Sequence, residues 1–219
     1  MLNKLIKKAI GYTTEEEVDP WSFNDPIAVQ TEWTPLKRSG SNFRTHKLIM
    51  IDSNRIEFRS TFGMKLFSLI FLIVGATMVV YFFYKFFPFN QSEYEIKDWL
   101  LLLIGCVFGG AGVYLIYESI RPCIFDKDKG YFWKSNISID ENNREQKNKE
   151  FCKLEDIHAI QTLSELCKGN KSSYYSYELN IVLKDGQRLN VEDHGNDSWV
   201  KRDADKLADF LDVQVWNAI

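Results

Sequence analysis

Residues 66–84 read LFSLIFLIVGATMVVYFFY and residues 99–117 read WLLLLIGCVFGGAGVYLIY. Each run is 19 residues long and holds no Asp, Glu, Lys, Arg or His; Lys65 and Lys85 bound the first, Asp98 and Glu118 the second. As helices rising 1.5 Å per residue they reach roughly 28 Å, close to the hydrocarbon thickness of a bilayer. A core helix of a soluble domain keeps one polar stripe, and neither run has one. The sequence therefore predicts transmembrane helices over residues 65–87 and 99–119. The loop between them, 88–98, is too short for a domain, so the two helices form an antiparallel hairpin.

Orientation follows from the basic residues at the helix ends. Arg44, Lys47, Arg55, Arg59 and Lys65 precede the first run, and Arg121, Lys127, Lys129 and Lys134 follow the second, against Lys85 and Lys97 in the loop. This bias predicts a multi-pass protein of the cell inner membrane with both termini cytoplasmic and the 88–98 loop external. Gly105 and Gly109 make a GxxxG step, and Gly112 extends it. Lipid gives no hydrophobic drive to helix pairing, so such glycines serve close backbone approach. The first helix near Gly75 is the expected partner, with homodimerisation as the alternative. Neither span carries an ionisable group of the kind a transporter or proton path uses.

Outside the spans the chain is polar. A formal net charge of -3 over 219 residues argues against nucleic-acid binding. Cys106, Cys123, Cys152 and Cys167 have no metal-ligand or disulfide spacing and fit a reducing compartment. Residues 1–14 place Leu2, Leu5, Ile6, Ala9 and Ile10 at helical spacing with Lys4, Lys7 and Lys8 between them. This is a basic amphipathic helix suited to an anionic membrane surface or to packing on its own domain. Residues 15–44 form an extended aromatic and proline segment in which Trp21, Phe23 and Trp33 either pack on the same chain or grip a partner. Residues 45–60, split by Ser53-Asn54, read as a β-hairpin that joins the same sheet as the strands beyond the second span, with a separate flap as the alternative.

From residue 121 onward short alternating strands dominate. Residues 123–126 and 131–135 flank a turn at Asp128-Lys129-Gly130 expected just beneath the membrane, and residues 151–156 and 158–166 are further strands, the first with a helical turn as the alternative. Residues 175–191 alternate around Lys184-Asp185-Gly186, which pairs Ile181 with Leu189 and Leu179 with Val191. Residues 138–150 read as a polar loop. A helix over about 198–211 gathers Val200, Ala204, Leu207, Ala208 and Leu211 on one stripe. The fold class is thus a two-helix transmembrane hairpin plus an α+β domain of antiparallel strands with one C-terminal helix.

The Ile124-Phe125-Asp126 and Gly130-Tyr131-Phe132 hairpin, residues 154–157, the Lys184-Asp185-Gly186 hairpin and the final helix give residues 121–216 an order that resembles bacterial pleckstrin-homology-like (PH-like) domains of small membrane proteins. The resemblance implies an antiparallel PH-like sheet or barrel and a non-enzymatic protein- or lipid-binding module, such as an accessory subunit of a membrane complex. The implied partners are membrane lipid and another membrane or membrane-associated protein, with no cofactor. Lys127, Lys129, Lys168 and Lys171 are the candidates for lipid headgroup contact, with solvated turns as the alternative. An immunity or antitoxin-like membrane protein is a second expectation. A third is a membrane enzyme or metal site at Asp193 and His194, in the run Glu192-Asp193-His194 with Asp197; His46 and His158 lie elsewhere and no HxxxH spacing occurs. Residues at such a strand end also serve as turn and capping groups.

Overall fold

In the computed structural model the described residues are 18–36, 40–86, 95–135, 150–168 and 172–219. The predicted helix over 1–14, residues 138–149 of the predicted polar loop, most of the external loop and Lys171 lie outside them. The chain forms two compact units, one made of the residues up to Arg59 and from Pro122, the other of Ser60–Arg121.

The Ser60–Arg121 unit is a pair of helices, α2 (Phe62–Phe86) and α3 (Ile96–Ser119), following a short helix α1 (Pro26–Gln30) that belongs to the other unit. Both α2 and α3 are long and apolar enough to cross a membrane, with mean hydropathy 2.5 and 2.2 over their spans. They approach through glycine. A Cβ added at Gly75 would overlap the Gly109 backbone and one at Gly112 the Leu72 backbone, while one at Gly105 would stand 2.8 Å from Met78 Cβ. Gly110 faces away, with nothing within 4 Å of an added Cβ. Phe71 stacks on Phe108 at 5.4 Å, and near the hairpin tip Lys85 Nζ pairs with Asp98 Oδ2 at 2.6 Å.

The other unit is α+β. Its first sheet runs in the order β1-β2-β3-β4-β5, from β1 (His46–Met50), β2 (Arg55–Ser60), β3 (Cys123–Asp126), β4 (Tyr131–Lys134) and β5 (Phe151–Lys153). The pairing of β2 with β3 is antiparallel, Arg55 opposite Asp126 and Phe58 opposite Cys123, so strands from either side of the helical hairpin share one ladder. The 151–156 segment is a strand only to Lys153; Leu154–Asp156 turn as a 3-10 helix. The second sheet runs β8-β7-β6-β9, from β6 (Ile157–Lys168), β7 (Ser173–Leu183), β8 (Arg188–His194) and β9 (Gln214–Ala218). Between β8 and β9 comes α4 (Asp197–Leu211), whose first turn is capped by the Asn196 side chain accepting from the Trp199 N–H.

The segment expected to be extended over 15–44 instead contains helical turns at Pro20–Phe23 and Pro26–Gln30, each started by an Asp cap and a Pro, and three further details depart from the sequence expectation. The chain does not stop at the helix: Asp212 adopts a left-handed conformation at its C-cap (φ 58°) and β9 then pairs in parallel with β6, so the second sheet is mixed. In the β7–β8 hairpin Ile181 does face Leu189, but a bulge between Leu179 and Asn180 sets Leu179 opposite Glu192 instead of Val191. A bulge adds one residue to one strand and reverses which side chains face inward beyond it. On α4 the buried stripe includes Phe210 and, unexpectedly, Asp203, while Leu211 is only half-buried. The core is shared by both sheets and α4, with Ile56, Phe58, Phe125, Phe132, Ile160, Leu179, Ile181 and Leu207 among its fully buried members.

Candidate interaction face

Strand alternation gives the second sheet two unlike faces. One is the apolar core. The other carries Gln161, Glu178, Asn180, Arg188, Asn190 and Asp193, which the register brings side by side: Gln161 opposite Asn180, Asn180 opposite Asn190, Glu178 opposite Asp193. These positions look solvent-facing in a sequence. The chain covers them with its own N-terminal segment.

That segment begins with a 3-10 turn over Pro20–Phe23 and α1, each opened by an Asp N-cap and a Pro, and continues as a strap over residues 31–36 that bends at residues 31, 34 and 36. Gln161 Nε2 donates to the Glu32 carbonyl at 3.1 Å, and Arg188 donates to the Thr34 carbonyl at 2.8 Å. Both carboxylate oxygens of Glu178 accept from the Leu36 N–H, at 3.0 and 2.9 Å. The groups read are backbone atoms at every second residue. Thr31 and Pro35 are buried, and Trp33 stacks on Phe23 at 4.9 Å and lies 5.8 Å from Trp216, with Ala28, Ala159 and Val182 completing a small apolar cluster. Asp25 meets His158 Nε2 at 2.7 Å. Farther along, the Gly40 carbonyl accepts from the Tyr174 hydroxyl at 3.0 Å, and Thr45 donates to the Asp193 carbonyl at 2.8 Å.

The electrostatics beneath the strap are unbalanced. Burial, with Asp193 beside it, pushes the Glu178 carboxyl up to about 7, only partly offset by the Leu36 N–H, Arg188 and Asn180. Asn190 Oδ1 and Trp216 Nε1 are buried there without a hydrogen-bond partner.

Glu192 and His194 lie on the opposite, core side, because the bulge turns Glu192 inward. Both Glu192 oxygens lack a partner, and burial together with the Asp203 carboxylate holds this group well above the usual carboxylate range. His194 Nδ1 accepts from the Asn196 N–H at 2.9 Å, so the neutral ring carries its proton on Nε2. Burial and the nearby Arg44 guanidinium push the His194 imidazole down to about 4. Arg44 pairs with Asp203 at 3.0 Å and lies 4.2 Å from the centre of the Trp199 ring. Asp193 and His194, the pair the sequence offers for metal or catalysis, do not converge: neighbours on a strand point to opposite faces, and Asp193 sits on the strap side with Asn190 at 3.3 Å. Asp197 lies in the first turn of α4 and pairs with Lys201. Among the described residues no group of three His, Cys, Asp or Glu is placed to hold a metal.

The remaining candidates are placed as follows. Phe23 and Trp33 are packed on their own chain, whereas Trp21 is 71% exposed. Lys127 and Lys129 sit in the β3–β4 turn, over the Phe210 and Trp133 rings respectively, beside the β1–β2 turn, where Asn54 donates to Asp128 at 2.7 Å. The register puts that turn at the end of the β2–β3 ladder away from Phe58 and Cys123, about 13 Å along the strand, and not at the end where the chain leaves for the helices. Lys168 is exposed at the end of β6. Gly75 meets Gly105 and Gly109 within the helical pair. Against known proteins, no family model, curated protein or solved structure matches the chain.

Proposed function

We propose that this chain is a non-enzymatic inner-membrane protein in which α2 and α3 span the bilayer and anchor a cytosolic, PH-like α+β binding module that engages another membrane or membrane-associated protein. The observation that carries this reading is the β2–β3 ladder: the chain leaves the first sheet at Ser60, runs through two apolar helices, and returns to the neighbouring strand at Cys123. An anchor inserted between two paired strands is joined to its domain by two chain crossings, where an appended anchor would be joined by one. The basic residues at residues 59, 65 and 121 flank the same ends of the two helices and favour the cytosolic side for the α+β unit.

The test is site-directed labelling of single-cysteine variants in intact cells with a membrane-impermeant maleimide. Gln91→Cys should react from outside, and Asp185→Cys only after the membrane is permeabilised. Reversed labelling would overturn the orientation, and extraction of the full chain by alkaline carbonate would overturn membrane insertion. Binding is tested by photocross-linking from Trp21→benzoylphenylalanine in living cells. A discrete heterologous adduct supports a module; self-adducts alone contradict it.

A further inference from the structure

The face of the second sheet under residues 31–36 does not have the composition of a permanent interior. Permanent interiors are mostly apolar. Here Gln161, Glu178, Asn180, Arg188, Asn190 and Asp193 line the surface beside an apolar slot of Ala159, Val182 and Trp216, and the opposite face of the same strands holds the larger apolar core. Among the described residues Asn190 Oδ1 has no partner when covered, and the Glu178 carboxyl, though it accepts from Leu36 and Asn190, is buried beside that of Asp193. Water would replace these contacts, so uncovering the face forfeits less than uncovering an apolar core would. The strap is held as a peptide ligand is held. Long side chains read its backbone at residues 32, 34 and 36, and one aromatic anchor, Trp33, fills a slot made by Phe23 and Trp216. Backbone reading at alternate residues with a pocket for the residues between is the mode by which extended peptides are recognised.

We propose that this face is a peptide-binding site occupied in cis, that residues 31–36 are its built-in competitor, and that its partner is another protein presenting a Trp-x-Pro segment like Trp33-Thr34-Pro35. This names the partner class of the binding module and rests on that reading. Tethering gives the strap an effective concentration in the millimolar range, so the site opens only to a partner that outbids that local supply, or after the strap is loosened. Trp33 supplies affinity through its ring, and Gln161, Arg188 and Glu178 supply register through the backbone. The segment needs an open carbonyl one residue before and one after the Trp, and an amide three residues after it. The Pro two residues on lacks an N–H and lies at a position where none is read.

The experiment uses the full chain in lipid nanodiscs and a fluorescent synthetic peptide of residues 18–36 as the probe. Wild-type protein should bind the peptide weakly. Trp33→Ala in the protein removes the cis anchor but leaves the face intact, and the peptide should then bind roughly 150-fold tighter. A peptide carrying Trp33→Ala should lose that gain, and so should a protein carrying Trp33→Ala together with Arg188→Met. Asp25→Ala, which releases the strap from His158 at a point outside the face, serves as a second loosened variant should Trp33→Ala fold poorly; near-ultraviolet circular dichroism checks both. Equal binding by wild type and both loosened variants would overturn the proposal, as would equal binding of the Trp and Ala peptides. A concentration-dependent dimer exchanging straps would overturn the partner assignment in favour of a second copy. Peptide failure with intact cross-linking from residue 21 refutes this site alone; failure of both refutes the binding module.

Discussion

Glu178→Gln should remove a pH dependence from the α+β unit that the wild type carries. The Glu178 carboxyl faces Asp193, Asn190 and Arg188 on β8, Asn180 on its own strand and the Leu36 N–H of the strap, and its burial raises it from 4.5 to about 7. A carboxyl raised on folding favours the native state only while protonated. The penalty is absent below about 4.5, grows as pH rises through the interval, and is complete above about 7. The gap between those values corresponds to about 3 kcal/mol at alkaline pH. Glutamine keeps one acceptor oxygen for the Leu36 amide and cannot ionise. Wild type and variant should melt together near pH 4.5, and the variant should be more stable by about 3 kcal/mol at pH 8.5, or roughly 6–12 °C in a unit of this size. Glu192 acts in the same direction and His194 in the opposite one below pH 6.5, but both are retained in the variant and cancel in the difference. The assay is thermal unfolding of the full chain in nanodiscs, followed by tryptophan emission across pH 4.5–8.5. Parallel curves for the two proteins would refute the placement of Glu178 beneath the strap.

Three further outcomes follow from the geometry. Gly75→Leu drives a side chain into the Gly109 backbone and should cost the helical pair about 1–3 kcal/mol, whereas Gly110→Leu meets nothing and should be near neutral; steric-trap unfolding in bicelles separates them. Trp33→Ala removes a stacked indole, and at about 3 kcal/mol the amides of Thr31 and Leu36 should exchange with solvent roughly 150-fold faster while the β6 amides stay protected, as read by hydrogen-exchange mass spectrometry. The His194 ring, pushed down to about 4, should show no protonation in imidazole nitrogen NMR shifts between pH 5.5 and 8 and should hold the Nε2–H tautomer; a midpoint near 6.5 contradicts its burial.

The hairpin was legible because periodicity fails in one recognisable way: nineteen uncharged, mostly apolar residues with no polar stripe admit few other structures. The Lys184-Asp185-Gly186 turn was legible from Gly186, which adopts φ 80°. Its register was legible only up to the bulge, since nothing in Val191-Glu192 announces an extra residue in the ladder. The last strand was hidden by its brevity, five residues after a helix with a single buried Trp216. The polar face was hidden for a different reason. Residues 178, 180 and 190 alternate with apolar ones as any solvated strand face does, and only tertiary structure reveals the strap above them. The signal available was the charged pair Arg188 and Glu178 on paired strands of a chain that also carries the Trp33-Thr34-Pro35 segment.

The most direct test of an anchor inserted within one domain is a disulfide between positions 54 and 128. Asn54 and Asp128 touch at 2.7 Å, although both helices lie between them in the chain. An Asn54→Cys/Asp128→Cys protein in native membranes should cross-link intramolecularly with mild oxidant, producing a monomer of altered gel mobility. Absence of that species, or intermolecular cross-links alone, would contradict a single α+β unit assembled from both sides of the membrane hairpin.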